Sequence, residues 1–176
     1  MKISPMLLML LVATNCVAQK RKEVGSVSYD VYSAVLTQHY ASWFKQKQPV
    51  QILSHTVLEP QGHSDGGCRA RAEKDPTRLE LLEKLLSENQ QLRIADKLHL
   101  PGKYKMIAGK LRGPEDREVG IVAFSAVEFS QDHSKAMVLV AHDCGPLCGT
   151  GYVWILNKVD HGWAMDKEQL NCGWIR

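Results

Sequence analysis

A chain of 176 residues carries 22 lysines and arginines against 19 aspartates and glutamates, a net charge of +3. That near-neutral balance argues against a general nucleic-acid binder, whose basic groups would gather on one face. Past residue 18 no apolar run approaches the ~20 residues that span a bilayer, and the length suits one domain with its own core.

Met1 and Lys2 give a short positive start, and Met6 to Ala13 (MLLMLLVA) is an unbroken apolar run. Cys16 and Ala18 then put small residues at the two positions a signal peptidase reads. The expectation is a signal peptide over 1–18 cut after Ala18, a basic tail over 19–26, and a single domain over 27–176 exported to a periplasm or secreted. Loss of Lys2 brings the net charge to +2. The alternative is a membrane-anchored lipoprotein acylated on Cys16, although Ala13-Thr14-Asn15 fits that signal poorly.

Within 27–46, Val31, Val35 and Leu36 fall at helical spacing with Tyr32, Tyr40 and Trp43 near the same face. The pattern predicts an amphipathic helix from near Ser28 that ends before Pro49. Residues 51–58 are β-rich and predict a strand. Pro60, Gly62, Gly66 and Gly67 mark 59–74 as a loop, pinned by Cys68. Asp75-Pro76 starts a second helix, with Asp75 as cap and Pro76 at the first helical position. Leu79, Leu82 and Leu86 follow as its stripe, Glu80 and Lys84 as an ion pair, and it runs to about Asn89. Residues 90–118 are broken by Pro101-Gly102, Gly109 and Gly113-Pro114, with a short strand at Tyr104–Ile107.

The last third holds four β-rich runs, 119–129, 135–142, 151–159 and 163–169. Turn signals separate them at Gln131–Ser134, at CGPLCG and at Asp160-His161-Gly162. Such short connections imply an antiparallel meander. Tyr152, Trp154 and Leu156 alternate with Val153 and Ile155, which marks a central strand, with helices expected over one face. Residues 172–175 close the chain as a last strand or packed tail. The fold class is α+β: N-terminal helices packed on a curved antiparallel sheet, a meander of four or more strands, in the manner of cystatin-like or nuclear-transport-factor-2-like folds. The concave face of that sheet is the default pocket.

Export leaves four cysteines, Cys68, Cys144, Cys148 and Cys172, and an even number in an oxidising compartment reads as two disulfides. Three pairings exist on paper. The short Cys144–Cys148 loop is the favoured local closure, which leaves Cys68 with Cys172.

The most unusual stretch is His142-Asp143-Cys144-Gly145-Pro146-Leu147-Cys148-Gly149. With the preceding apolar strand from Ala136 and the following GYVWILNKVDHGW to Trp163, it resembles a family of exported bacterial proteins of unassigned function. These share a CGPLCG core, an aromatic strand and a Gly-Trp hairpin before a terminal Trp-Ile. The opening Tyr29 to Leu36 is similar to the first helix of those chains. The resemblance implies a domain type and brings no reaction.

Three readings of the loop compete. A structural disulfide is the first. A redox-active pair is the second, although thioredoxin-like cysteines are two residues apart at a helix start, whereas three residues separate these. A Cu(I) or Zn(II) site of His142, Cys144 and Cys148 is the third.

His142 and Asp143, as strand neighbours, point to opposite faces and read as a solvated loop edge. His39, His55, His63, His99, His133 and His161 show no metal-ligand spacing and read as surface residues. Ser125 and Ser134 lack a nucleophile elbow, and Gly62–Gly67 is not a phosphate loop. Trp43, Trp154, Trp163 and Trp174 read as core and hairpin packing. The sequence thus leans away from an enzyme and implies no cofactor. It points to an exported, disulfide-stabilised binding or envelope-associated domain whose partner is a small molecule or envelope protein, with no nucleic acid. The alternative is a thiol redox enzyme or a copper/zinc-binding protein centred on Cys144 and Cys148.

Overall fold

Tyr29 to Leu36 lies at the heart of the first helix in a computed structural model that describes residues 22–45, 48–58, 65–88, 90–109, 120–145 and 148–175. The expected signal segment with Cys16 and Ala18, and the start of the basic tail, fall outside those residues. Helix α1 (Ser26–His39) buries Tyr29, Val31, Tyr32, Val35 and Leu36, a face broader than a single stripe. It ends well short of Pro49. The Tyr40 amide still reaches the Leu36 carbonyl at 3.0 Å, and a 3-10 turn (Ala41–Lys45) then lays Trp43 against His142, ring centroids 4.4 Å apart.

Strand β1 (Val50–Leu53) is shorter than the predicted run. The next element corrects the predicted loop, because Asp65–Ala72 forms helix α2. Two glycines make this a poor helix by propensity. Cys68 and Ala72, one turn apart, are both fully buried, and Cys68 is bonded to Cys172 with Cα atoms 5.3 Å apart. Tertiary packing therefore overrides the local preference, as it does for most short helices. Helix α3 (Pro76–Ser87) begins as its sequence dictates, with the Asp75 carboxylate accepting from the Thr77 amide at 2.9 Å and the Arg78 amide at 3.3 Å. Glu80 and Lys84 pair at 2.6 Å. Its buried residues are Leu81, Leu82 and Leu85, so the helix is rotated from the predicted stripe and Leu79 and Leu86 sit at its margin.

The strands that follow are β2 (Tyr104–Ile107), β3 (Ile121–Phe124), β4 (Glu128–Phe129), β5 (Lys135–Gly145), β6 (Cys148–Val159), β7 (Gly162–Met165) and β8 (Gly173–Ile175). They form one curled sheet in the order β2-β1-β3-β5-β6-β7, with β4 added to β5 and β8 to β6. β3, β5, β6 and β7 make the antiparallel meander. The sheet as a whole is mixed, because β1 pairs parallel with both β2 and β3. The correction follows from connectivity: parallel neighbours need a long crossover, and α2 and α3 lie between β1 and β2.

A second correction concerns the layers. The sheet is covered on both faces rather than one. On one face α1 packs Tyr32, Val35 and Leu36 against Val122, Phe124, Val138, Val140 and Leu156. On the other, α2 and α3 set Cys68, Ala72, Leu81, Leu82 and Leu85 against Met137, Leu139, Val153 and Ile155. The period-two alternation along β5 and β6 supplies both cores from the same two strands.

Two polar side chains shape the sheet. The predicted strand 119–129 splits at Ser125, whose hydroxyl accepts from the Leu139 amide at 2.9 Å and donates to the Ala126 carbonyl at 2.6 Å. Tyr32 Oη donates to the Ser125 carbonyl at 2.8 Å, tying α1 to the break. Past β7, the Gln169 side chain stands in for a strand. Its Oε1 accepts from the Ile155 amide at 2.9 Å and its Nε2 donates to the Ile155 carbonyl at 2.8 Å.

Candidate functional site

The face of the sheet that α1 covers is filled. Tyr32, Val35, Leu36 and Phe124 have no exposed surface there, and Tyr32 stacks on Phe124 at 4.3 Å. Packing of this kind leaves no room for a ligand beneath α1.

A cleft lies instead on the outer side of α1. Asp30, Ser33, Ala34, Thr37 and Gln38 form one wall, and His99, His161, Gly162 and Trp163 form the other, around about 510 Å³. Helical spacing puts the first set on one side of α1. The segment before β2 supplies His99 to the opposite wall and the β6–β7 hairpin supplies the rest, with Gly162 at φ +131°, a conformation that glycine adopts without a steric penalty. Gln38 fixes the two walls together. Its Nε2 donates to the Trp163 carbonyl at 2.8 Å, and its Oε1 accepts from the Met165 amide at 3.0 Å. Ser33 is also engaged, donating to the Tyr29 carbonyl at 2.7 Å and accepting from the His99 amide at 3.0 Å. The Asp30 carboxylate, the Thr37 hydroxyl and the His99 and His161 imidazoles, all exposed, are the groups that remain to meet a ligand. Trp163, nearly buried against Phe129, closes the base.

None of these residues stands out in the sequence as a site. The polar positions Asp30, Ser33 and Thr37 read as the solvent side of an amphipathic helix. Their convergence with His161 depends on the β6–β7 hairpin folding back onto α1, and with His99 on the segment before β2 docking its amide on Ser33, and no local pattern encodes either.

The CGPLCG hairpin has a different character. Cys144 and Cys148 are bonded across the end of β5 and β6, Cα atoms 5.1 Å apart, with Pro146 and Leu147 outside the described residues. Asp143 pairs with Gly149 and Gly145 with Cys148, so Cys144 is the extra residue of a β-bulge. The pair joins two strands and does not sit at a helix N-terminus, the setting that lowers the thiol pKa in thioredoxin-like motifs.

His142 turns to the α1 face, its ring tilted against Trp43, and it fills the space beside Gly120. Gly120 has φ +68°, and a side chain on it would meet the Asp143 carbonyl at 2.6 Å as well as His142. Asp143 is 2 % exposed, which corrects its reading as a solvated loop-edge residue. Both sulfurs of the suggested metal triad are taken up in the disulfide. Among the described residues no three His, Cys, Asp or Glu side chains gather where they would hold a metal.

From His142 a run of rings leads back to α1: Trp43 on Tyr40 at 4.1 Å, Tyr40 on His39 at 4.6 Å, and His39 on Trp154 at 4.2 Å. Burial holds the His39 imidazole below its ordinary pKa and pushes the Tyr40 hydroxyl up to about 12. Trp163 is core, while Trp43 and Trp154 are half-buried beside it. Trp174 lies in β8 opposite Gly151. Of the other histidines, His99, His133 and His161 are exposed and His55 is half-buried, while His63 is outside the described residues. The Ser125 hydroxyl is spent on backbone, and Ser134 donates to Asp132 at 2.8 Å.

The fold and its bonds define a class: an α+β domain with helices on both faces of a curled mixed sheet, compatible with stabilisation by two disulfides. The chain matches no protein-family model, no curated protein and no solved structure.

Proposed function

We propose that this chain is an exported binding domain that holds a small polar ligand in the cleft between α1 and the β6–β7 turn. The observation that carries the reading is the cleft itself. Gln38 and Ser33 brace its walls, while a carboxylate, a hydroxyl and two imidazoles remain for a ligand. Preformed walls lower the ordering cost of binding. A carboxylate opposite two imidazoles suits a ligand with both a cationic and an anionic or acceptor group, such as a zwitterionic amino compound.

Two disulfides support an oxidising compartment, in keeping with the exported family that the CGPLCG segment resembles. No described helix is long and apolar enough to cross a membrane. Anchoring through acylated Cys16 is the other form of the same export. N-terminal sequencing of the protein recovered outside the cytoplasm is expected to start at Gln19. A start at an acylated Cys16 would replace the secreted form with the anchored one, and recovery of the protein only inside the cytoplasm, with Met1 intact, would sink export altogether.

The binding reading is tested by thermal denaturation against a panel of amino acids and small betaines. A ligand at a hundredfold excess over its Kd stabilises the fold by about 2.7 kcal/mol, so at least one member should raise Tm in a concentration-dependent way. Thr37→Trp, an exposed helix position on the cleft wall, is expected to fold with an unchanged Tm and to lose that shift. A panel without effect, or a shift that survives Thr37→Trp, would place the function elsewhere.

A further inference from the structure

The two disulfides differ in their surroundings. Cys68 is fully buried and Cys172 is 8 % exposed, within the core that α2 and α3 make with the sheet. Cys148 is exposed and Cys144 half-buried, at the tip of a hairpin and inside a β-bulge. A thiolate must approach a disulfide sulfur directly, so access decides which bond exchanges, and exposed disulfides are the labile ones. The Cys144–Cys148 bond closes a sequence separation of 4, against 104 for Cys68–Cys172, so opening it releases little chain.

We propose that Cys144–Cys148 is a reversible thiol–disulfide exchange site, entered at Cys148, the more exposed of the two residues, by low-molecular-weight thiols, while Cys68–Cys172 stays closed. In the first step an external thiolate attacks Cys148 Sγ, a mixed disulfide forms there, and the Sγ–Sγ bond breaks with its electron pair leaving on Cys144 as thiolate. A second external thiolate attacks the outer sulfur of the mixed disulfide and frees Cys148 as thiolate. The two protein thiolates take up protons from water, and the two external thiols leave as their own disulfide. The protein gains two electrons, and the external thiols lose two. The low-molecular-weight disulfide drives the reverse sequence.

The rest of the domain is built to survive the opening. β5 and β6 pair over most of their length beyond the bulge, from Lys135↔Asn157 to Asp143↔Gly149. Trp43 on His142 is a ring contact close to the bulge and marks where the change would reach the 3-10 turn that follows α1. The site is separate from the α1 cleft, so the two readings stand or fall independently.

The test uses the full oxidised protein with reduced glutathione, timed acid quenching, alkylation by N-ethylmaleimide and peptide mass mapping. The first adduct is expected to be glutathione on Cys148. It should be followed by a species alkylated at Cys144 and Cys148, with Cys68–Cys172 intact and the far-ultraviolet circular dichroism unchanged. The exposed bond should open at least about a hundredfold faster than the buried one, whose exposure requires a larger opening of the fold. Oxidised glutathione should then reclose it. A first adduct on Cys144, simultaneous opening of both bonds, earlier opening of Cys68–Cys172, or failure to reclose would each overturn the proposal.

Discussion

Replacing Cys68 and Cys172 together by alanine is expected to lower the free energy of unfolding by about 4–5 kcal/mol. The bond closes a sequence separation of 104, and the chain-entropy model assigns a loop of about that size ~4.7 kcal/mol. The same relation gives only about 2 kcal/mol for the Cys144–Cys148 loop, so the two double replacements should be easily told apart. The structural consequence is also larger for Cys68. Its bond fastens α2 to the segment that leads into β8, where the Arg71 guanidinium donates to the carbonyls of Leu170, at 2.7 Å, and Asn171. Typical domains hold about 5–15 kcal/mol in all, so the loss takes away a large share of the total. Urea denaturation of the two double variants beside the parent measures it. A loss below about 2 kcal/mol would mean that core packing alone holds α2 and the tail.

The second large effect is at the centre of the other core. Phe124→Ala is expected to cost about 3–5 kcal/mol, the range for truncating a buried aromatic side chain. Phe124 has no exposed surface and stacks on Tyr32 with ring planes 25° apart, where α1 meets β3. The cavity would open between a helix and a sheet that Tyr32 Oη also joins, through the Ser125 carbonyl. Val159→Ala makes a suitable comparison, since Val159 is 47 % exposed and should shift stability by no more than about 0.5 kcal/mol. Chemical denaturation of both variants separates the cases. Equal effects would mean that the α1 face of the sheet is not a rigid core.

Much of the fold is legible in the sequence because its signals are local. The Asp75-Pro76 cap and the Glu80–Lys84 pair specify the start of α3 without help from elsewhere. Turn residues divide the last third into the strands of the meander. The α+β class follows from helices before a run of strands.

What the sequence hides is set by contacts between distant segments. Gly66 and Gly67 predict a loop, yet burial of Cys68 and Ala72 stabilises a helix there. Parallel pairing of β1 with β2 and β3 has no local signature, because it depends on where the α2–α3 crossover returns the chain. The two-sided apolar pattern of β6 marks a central strand, but which helix covers which face cannot be read from it. The cleft is the clearest case: Asp30 and His161 are ordinary surface residues until the β6–β7 turn is laid against α1. The buried state of Asp143 is similar, since nothing local to the hairpin shows that this residue is paired with Ile121 of β3.

The side chain of Gln169 bears on how the border of β6 meets other molecules. β6 runs from Cys148 to Val159, and an uncovered border of that length would offer its amides and carbonyls to a strand from another molecule. The border is occupied piece by piece. β8 takes Thr150 to Tyr152, the Cys172 carbonyl accepts from the Val153 amide at 3.1 Å, Gln169 takes both groups of Ile155, and β7 takes Leu156 to Val159. Gln169, with the Cys172 carbonyl and the Asp166 amide, thus fills the gap between two short strands, and from Thr150 to Val159 the longest strand of the sheet meets a concentrated solution with a margin already engaged along its length.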